Sequence, residues 1–170
     1  MATTIYGAQP YNYSTAEADL NYDAIGKNSE AFTSYDPVTY SSGQLIVAGT
    51  TNAIAGVVAK TATMTSTNAG TTGARVAPGY FPVTETTEFL MGTNSDLTGN
   101  ATDVGTFYKL TANTTNTVQV DVANGVQTTT NRVVMIKKVD PFNEGGTGAG
   151  SGLRKAVVVF VKKFTDVAGQ

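Results

Sequence analysis

Two stretches, Val133-Val134-Met135-Ile136 and Ala156-Val157-Val158-Val159-Phe160-Val161, decide the fold. Both are continuous apolar runs of strand length, and both are rich in β-branched residues. Such side chains are stiff at χ1 and pack well on a pleated surface, so the runs read as buried strands and not as helices. The link between them, residues 140–154, contains Pro141 and five glycines. If the two runs pair as a hairpin, Lys137 and Lys138 fall near Arg154 and Lys155 at one end. Arg132 falls near Lys162 and Lys163 at the other.

Working outward, strands and turns continue back to residue 41. Compact runs at 44–48 and 53–59 are separated by Thr50-Thr51-Asn52. Residues 60–67 alternate Thr with other residues, as an exposed strand does, and 68–73 read as a loop. Short strands are expected at 80–83, 88–91 and 106–111, with a polar loop at 94–105. Val118, Val120 and Val122 alternate with Gln119 and Asp121, the pattern of a half-buried strand, and Asn124-Gly125 offers a tight turn. A two-residue turn there would set Val120 opposite Thr129 and Val118 opposite Asn131, polar partners for an apolar face. Either the register differs, or the hairpin is short and the chain leaves for another strand. Strands at this spacing with little helix predict an all-β chain, a small β-barrel or sandwich over residues 41–170, with a Gly-rich hairpin loop at 140–154.

The first 40 residues differ in kind. They hold six of the eight tyrosines (Tyr6, Tyr11, Tyr13, Tyr22, Tyr35 and Tyr40) and few large aliphatics. Such a segment cannot form a core of its own. Tyr buries a large area while keeping a hydrogen-bonding tip, which is interface chemistry. Residues 1–40 therefore read as an extended N-terminal arm that packs on a partner or on its own domain. It carries at most one short helix, over about 15–25, opened by the capping-box spacing Ser14-Thr15-Ala16-Glu17. Tyr6, Tyr11, Tyr13 and Tyr22 are the expected partner contacts, because interface energy concentrates in such aromatics.

Composition narrows the function classes. The chain has 170 residues, about one domain, with 29 Thr, 20 Ala, 19 Val and 18 Gly and only 14% charged residues. It has no His and no Cys, which excludes Ser-His-Asp and Cys-His catalysis, thiolate chemistry and any His/Cys zinc site. No apolar run approaches the ~20 residues of a membrane-spanning helix, and no signal peptide is expected from the first residues. A net charge of −2 gives no reason to expect nucleic-acid binding. Charge is uneven, however. Residues 1–40 carry five acids and one base, whereas 132–170 carry seven bases and three acids. An acidic head and a basic tail can pair within one chain, or head to tail between neighbours.

The remaining motifs read as structure. Residues 145–152 are Gly-rich, but no placement gives the dinucleotide fingerprint or a P-loop, and they lead into a strand where a phosphate site needs a helix N-terminus. Asn94-x-Asp96-x-Thr98-Gly99-Asn100 spaces its oxygens like a calcium loop, yet its first position is an amide and its twelfth is Gly105 instead of a bidentate Glu. Glu85 and Glu88 lie among threonines, with no apolar pocket to raise a carboxylate pKa. Asn12, Asn100 and Asn113 open Asn-x-Ser/Thr tripeptides, which a Thr-rich chain yields by chance. No catalytic residue, cofactor or metal is expected, and the chain reads as a structural or binding protein, not an enzyme.

A His- and Cys-free, Thr/Ala/Gly/Val-rich β-protein with an aromatic N-terminal arm resembles a tailed-phage virion protein. More narrowly, it resembles the capsid decoration (cement) proteins of the small β-barrel or β-tulip kind. The likeness is carried by arm 1–40, the entry strand Ser42-Gly43-Gln44-Leu45-Ile46-Val47-Ala48-Gly49-Thr50, the strand 53–58, and the closing pair 132–139 and 155–164. The resemblance implies a protein on the outer capsid surface, commonly trimeric. It would bridge neighbouring major capsid subunits and hold the shell against internal pressure. Two alternatives are a phage tail-tube or head-tail connector subunit, also a small β-protein with an arm, and a carbohydrate-binding adhesin module. From residue 41 onward only Tyr80 and Tyr108 are Tyr, and there is no Trp, which disfavours the adhesin.

Overall fold

In the computed structural model, which describes residues 7–11, 20–21, 25–64, 79–84, 86–112, 118–139 and 155–164, the chain is almost wholly strand, turn and loop. The strands run β1 (Ala8–Pro10), β2 (Ile25–Gly26), β3 (Ala31–Phe32), β4 (Pro37–Ser41), β5 (Gln44–Val47), β6 (Gly56–Val58) and β7 (Ala62–Thr63). They continue as β8 (Tyr80–Pro82), β9 (Phe89–Gly92), β10 (Phe107–Tyr108), β11 (Leu110–Ala112), β12 (Val118–Val120), β13 (Val134–Val139) and β14 (Lys155–Phe160). One helical turn, α1 (Asn100–Asp103), interrupts the polar loop after β9. The fold is all-β, as the strand spacing predicts.

The two apolar runs pair antiparallel as β13 and β14, with Val134 opposite Phe160, Met135 opposite Val159 and Ile136 opposite Val158. Lys137 is then accommodated as a bulge, so that Lys138 faces Val157 and Val139 faces Ala156. The bulge puts the exposed Lys137 outside the ladder while keeping Val139 on the buried face. These strands centre a five-stranded antiparallel sheet in the order β1-β9-β14-β13-β10. A second sheet has the order β2-β5-β4-β6-β8, antiparallel except for the parallel pair β2–β5. Two ribbons, β11–β12 and β3–β7, complete the fold.

The main core lies between the sheets. Phe89 and Met91 from β9, Val134 and Ile136 from β13, and Ala156, Val158 and Phe160 from β14 meet Val57 of the second sheet. Phe89 and Phe160 meet edge to face at 5.2 Å between centroids. Each large side chain buried here contributes roughly 1.5–3 kcal/mol. Val58, the next residue along β6, points to the opposite face of its sheet. There it joins Phe32, Val38, Leu45, Met64 and Tyr80 in a second cluster beneath the β3–β7 ribbon. The second sheet is therefore apolar on both faces, which is why β6 reads as an uninterrupted Gly-Val-Val.

The turn at Asn124-Gly125 resolves into the second of the two alternatives. Gly125, at φ +76°, donates its N–H to Val122 O at 2.9 Å. The chain then leaves, and β12 pairs instead with β11. Val120 faces Leu110 and Val118 faces Ala112, apolar partners in place of Thr129 and Asn131. The strand stops at Val120 because Asp121 turns into a polar cluster described below.

The Tyr-rich first 40 residues contribute β1 to the first sheet and β2, β3 and most of β4 to the second sheet and its ribbon. The boundary at residue 40 falls inside β4, whose Val38 is fully buried. Most of the helix expected over 15–25 lies outside the described residues. Within that span Asn21 bridges Tyr80 in antiparallel fashion and Ile25 opens β2. The Gly-rich link 140–154 lies outside them too.

Candidate interaction surfaces

Of the four tyrosines expected to contact a partner, Tyr11 is described, and Tyr6, Tyr13 and Tyr22 lie outside the described residues. Tyr11 follows edge strand β1 and extends its pairing, donating its N–H to Glu88 O at 2.9 Å. Its ring is half-buried against Leu90 and Val157. Those two residues are neighbours across β9 and β14 on the face turned away from the main core. The run 156–161 is apolar at every position, so β14 has an apolar outer face as well as an inner one. The same outer face continues through Val159, Met135 and Phe107 in register. Arg132 stacks over the Phe107 ring at 4.4 Å, covering its edge of the stripe with a cation.

The outer face of the second sheet carries a different feature. Tyr40 and Tyr80 touch hydroxyl to hydroxyl at 3.0 Å, and Phe164 packs on Tyr40 with ring centroids 5.0 Å apart. A groove of about 210 Å³ is lined by these three rings together with Ile54, Ala55 and Lys163. Two local devices build it. Gly56 lets the Tyr80 ring lie directly on the backbone, since a methyl there would come within 2.1 Å of the ring. The chain after β14 crosses from one sheet to the other, with Ile54 N–H donating to Lys162 O at 2.8 Å and Phe164 N–H to Ile54 O at 3.0 Å. This site was not legible as a site in the sequence. Tyr40, Tyr80 and Phe164 are widely separated along the chain, and no local pattern links them.

The candidate calcium loop is occupied by its own hydrogen bonds. Asn94 Nδ2 donates to Asp121 Oδ1 at 2.7 Å, and Asn94 Oδ1 accepts the Ala123 N–H at 3.0 Å. The Asp103 carboxylate accepts N–H groups from Thr98 at 2.6 Å and Gly99 at 2.8 Å, closing the loop on α1. Burial lifts the nearby Tyr108 phenol above its usual range, and the adjacent Asp103 adds to the rise. Among the described residues no group of three or more acidic side chains is placed to hold a metal. Glu85, the expected neighbour of Glu88, lies outside the described residues.

Buried acids are what a reading of composition misses. Asp121 accepts two amide N–H groups, from Asn94 and Asn124, and stands 3.4 Å from Lys109 Nζ. Burial pushes its carboxyl up, but Asn124, Asn94 and Lys109 together outweigh that and hold it below the ordinary value. Asp36, equally buried, accepts the Thr33 N–H at 2.8 Å as its one side-chain hydrogen bond among the described residues, and burial raises it to about 6. Part of the head-and-tail charge asymmetry is thus used inside the fold. Glu30 accepts the Val47 N–H at 3.0 Å, and Lys162 Nζ donates to the carbonyls of Thr51 and Thr130. Comparison of the chain with family models, with curated proteins and with solved structures gives no match.

Proposed function

We propose that the protein is a structural virion component of a tailed bacteriophage. It binds the outer surface of the capsid, where it bridges and stabilises neighbouring major capsid subunits, as a homotrimer and without cofactor, nucleic acid or membrane. One observation carries the reading. The two-sheet body carries half-buried aromatic side chains at two separate places, Tyr11 over Leu90 and Val157 on the first sheet, and Tyr40 with Phe164, beside the buried Tyr80, on the second. A bridging protein needs two contact surfaces on a rigid spacer, and Tyr-rich patches are the chemistry such contacts favour. Many copies on one shell make a modest contact collectively strong.

The acidic head and basic tail favour a second reading, a tail-tube or connector subunit, because heterologous head-to-tail contacts close rings or stack tubes. Light scattering across a concentration series, followed by co-sedimentation with emptied phage capsids, separates the two. A discrete trimer that sediments with capsids, and loses that binding in Tyr11→Ala, supports the decoration reading. Rings or growing tubes without capsid binding refute it in favour of the tail. A monomer that ignores capsids refutes both and returns the adhesin alternative.

A further inference from the structure

The loop 33–37 is where the N-terminal strand meets the second sheet. Tyr35, at φ +72°, donates its N–H to Val58 O at 2.7 Å and accepts the Ala8 N–H at 2.7 Å. Asp36 O accepts the Val58 N–H at 2.9 Å, and Pro37 O accepts the Ala48 N–H at 2.8 Å. Gly7 packs so closely on this loop that a methyl group would lie 2.4 Å from Tyr35 O. The junction therefore joins β1, which edges the first sheet, to β6 and β4 of the second. At its centre sits the Asp36 side chain, 3% exposed.

We propose that Asp36 makes this junction a pH-dependent latch for the N-terminal strand, closed when its carboxyl is protonated and loosened when it ionises. Oδ2 accepts the Thr33 N–H at 2.8 Å, and Oδ1 has no donor among the described residues. A buried carboxylate normally takes several donors or a cation, and one donor leaves most of its desolvation cost standing. The elements packed against it bring no compensation. On its own loop the other titratable group is Tyr35. β6 and Gly7–Ala8 bring no titratable or charged side chain, nor does Ala48. On the turn after β6, Lys60 is exposed and makes no ion pair with Asp36, while Thr61 is held by Ser34.

The sign follows from linkage. The carboxyl of the folded protein titrates above its unfolded value, at about 6 against 3.8. Its contribution to the closed junction is therefore whole below the unfolded value and is lost as pH rises through the folded one. Opening the loop hydrates the carboxylate and breaks the Tyr35–Val58 and Ala8–Tyr35 bonds together, so β1 loosens with it. The inference does not depend on the capsid reading.

Residue-resolved hydrogen exchange on the full chain, at about pH 5 and about pH 7.5 with intrinsic rates corrected, tests it. Protection of the Ala8 and Tyr35 amides is expected to fall about tenfold between the two, while that of the Val158 amide holds. Asp36→Asn is expected to keep acid-like protection at both. Equal protection of wild-type Ala8 at both pH values overturns the latch, as does an Asp36→Asn protein that retains the wild-type pH response. Should that variant not fold, the carboxyl resonance of Asp36 in the wild type decides. A midpoint near 6 supports the latch, and one in the ordinary carboxylate range overturns it.

Discussion

Asp121→Ala removes the hub of the polar cluster that ends β12. In the structure its carboxylate accepts Asn94 Nδ2 at 2.7 Å and Asn124 Nδ2 at 2.8 and 2.9 Å, beside Lys109 Nζ at 3.4 Å. Hydrogen bonds to an ionised group contribute about 1.5–3 kcal/mol each. Three offsets reduce the sum. Asn124 is exposed and Lys109 is partly so, and both regain water when the carboxylate goes. The substitution also removes the cost of burying a charge. The net loss expected is about 2 kcal/mol, or a fall in Tm of about 4–8 °C for a domain of this size. The pH dependence gives the test its edge. Because the folded carboxyl titrates below 3.8, its stabilisation is present above that value and is lost as pH falls through the folded one. Urea unfolding of wild type and variant is therefore compared at about pH 7 and about pH 3. The gap is expected to be full at the first and smaller at the second. A variant within about 0.5 kcal/mol of wild type at neutral pH, or a gap undiminished in acid, refutes the reasoning.

Phe160→Ala empties a 2% exposed site and loses the edge-to-face contact with Phe89, so its urea midpoint is expected to fall by the equivalent of about 3–5 kcal/mol. Gly56→Ala puts a methyl 2.1 Å from the Tyr80 ring and 2.6 Å from Phe81 O. The expected cost is about 1–3 kcal/mol, with a change in the near-ultraviolet tyrosine dichroism as the ring is displaced. Tyr40→Phe leaves the packing on Phe164 and removes only the hydroxyl contact with Tyr80, for a loss of about 1 kcal/mol in chemical unfolding.

Where side-chain period alone decides an element, the sequence was readable. The runs 133–136 and 156–161 are apolar without a break, and their strand length and β-branched content mark them as strands and not helices. β13, β14 and their pairing follow. The register at Asn124 was not readable, because the preference of Val118 and Val120 for Ala112 and Leu110 depends on a partner earlier in the chain. Asp36, Asp103 and Asp121 were hidden for another reason. Asp36 reads as one acid of the N-terminal segment, Asp121 as a polar position of a half-buried strand and Asp103 as part of a polar loop, and whether the backbone folds back to donate its N–H groups is a tertiary fact. The Tyr40–Tyr80–Phe164 groove likewise exists only because the chain after β14 changes sheets. Tyr11 was legible as an aromatic of the N-terminal segment, but its seat over Leu90 and Val157 was not.

The organisation of the first 40 residues bears directly on how a partner role can be tested. Deleting residues 1–40 appears a clean way to remove a Tyr-rich arm and keep a β-domain. In this architecture the cut also takes β1 from the edge of the first sheet, β2 and β3, and four of the five residues of β4. β4 is the central strand of the second sheet, paired to β5 on one side and β6 on the other, and its Val38 is fully buried. Without it β5 and β6 lose their shared partner, and Leu45 and Val58 lose a wall of their cluster. Loss of binding after that deletion would therefore report unfolding, not a missing contact. Substitution at Tyr11 separates the two roles, since its ring packs at the rim over Leu90 and Val157 and its backbone bond to Glu88 survives the change. A deletion of 1–40 that still unfolds cooperatively, with the wild-type urea dependence, would contradict the placement of β4 at the centre of the sheet.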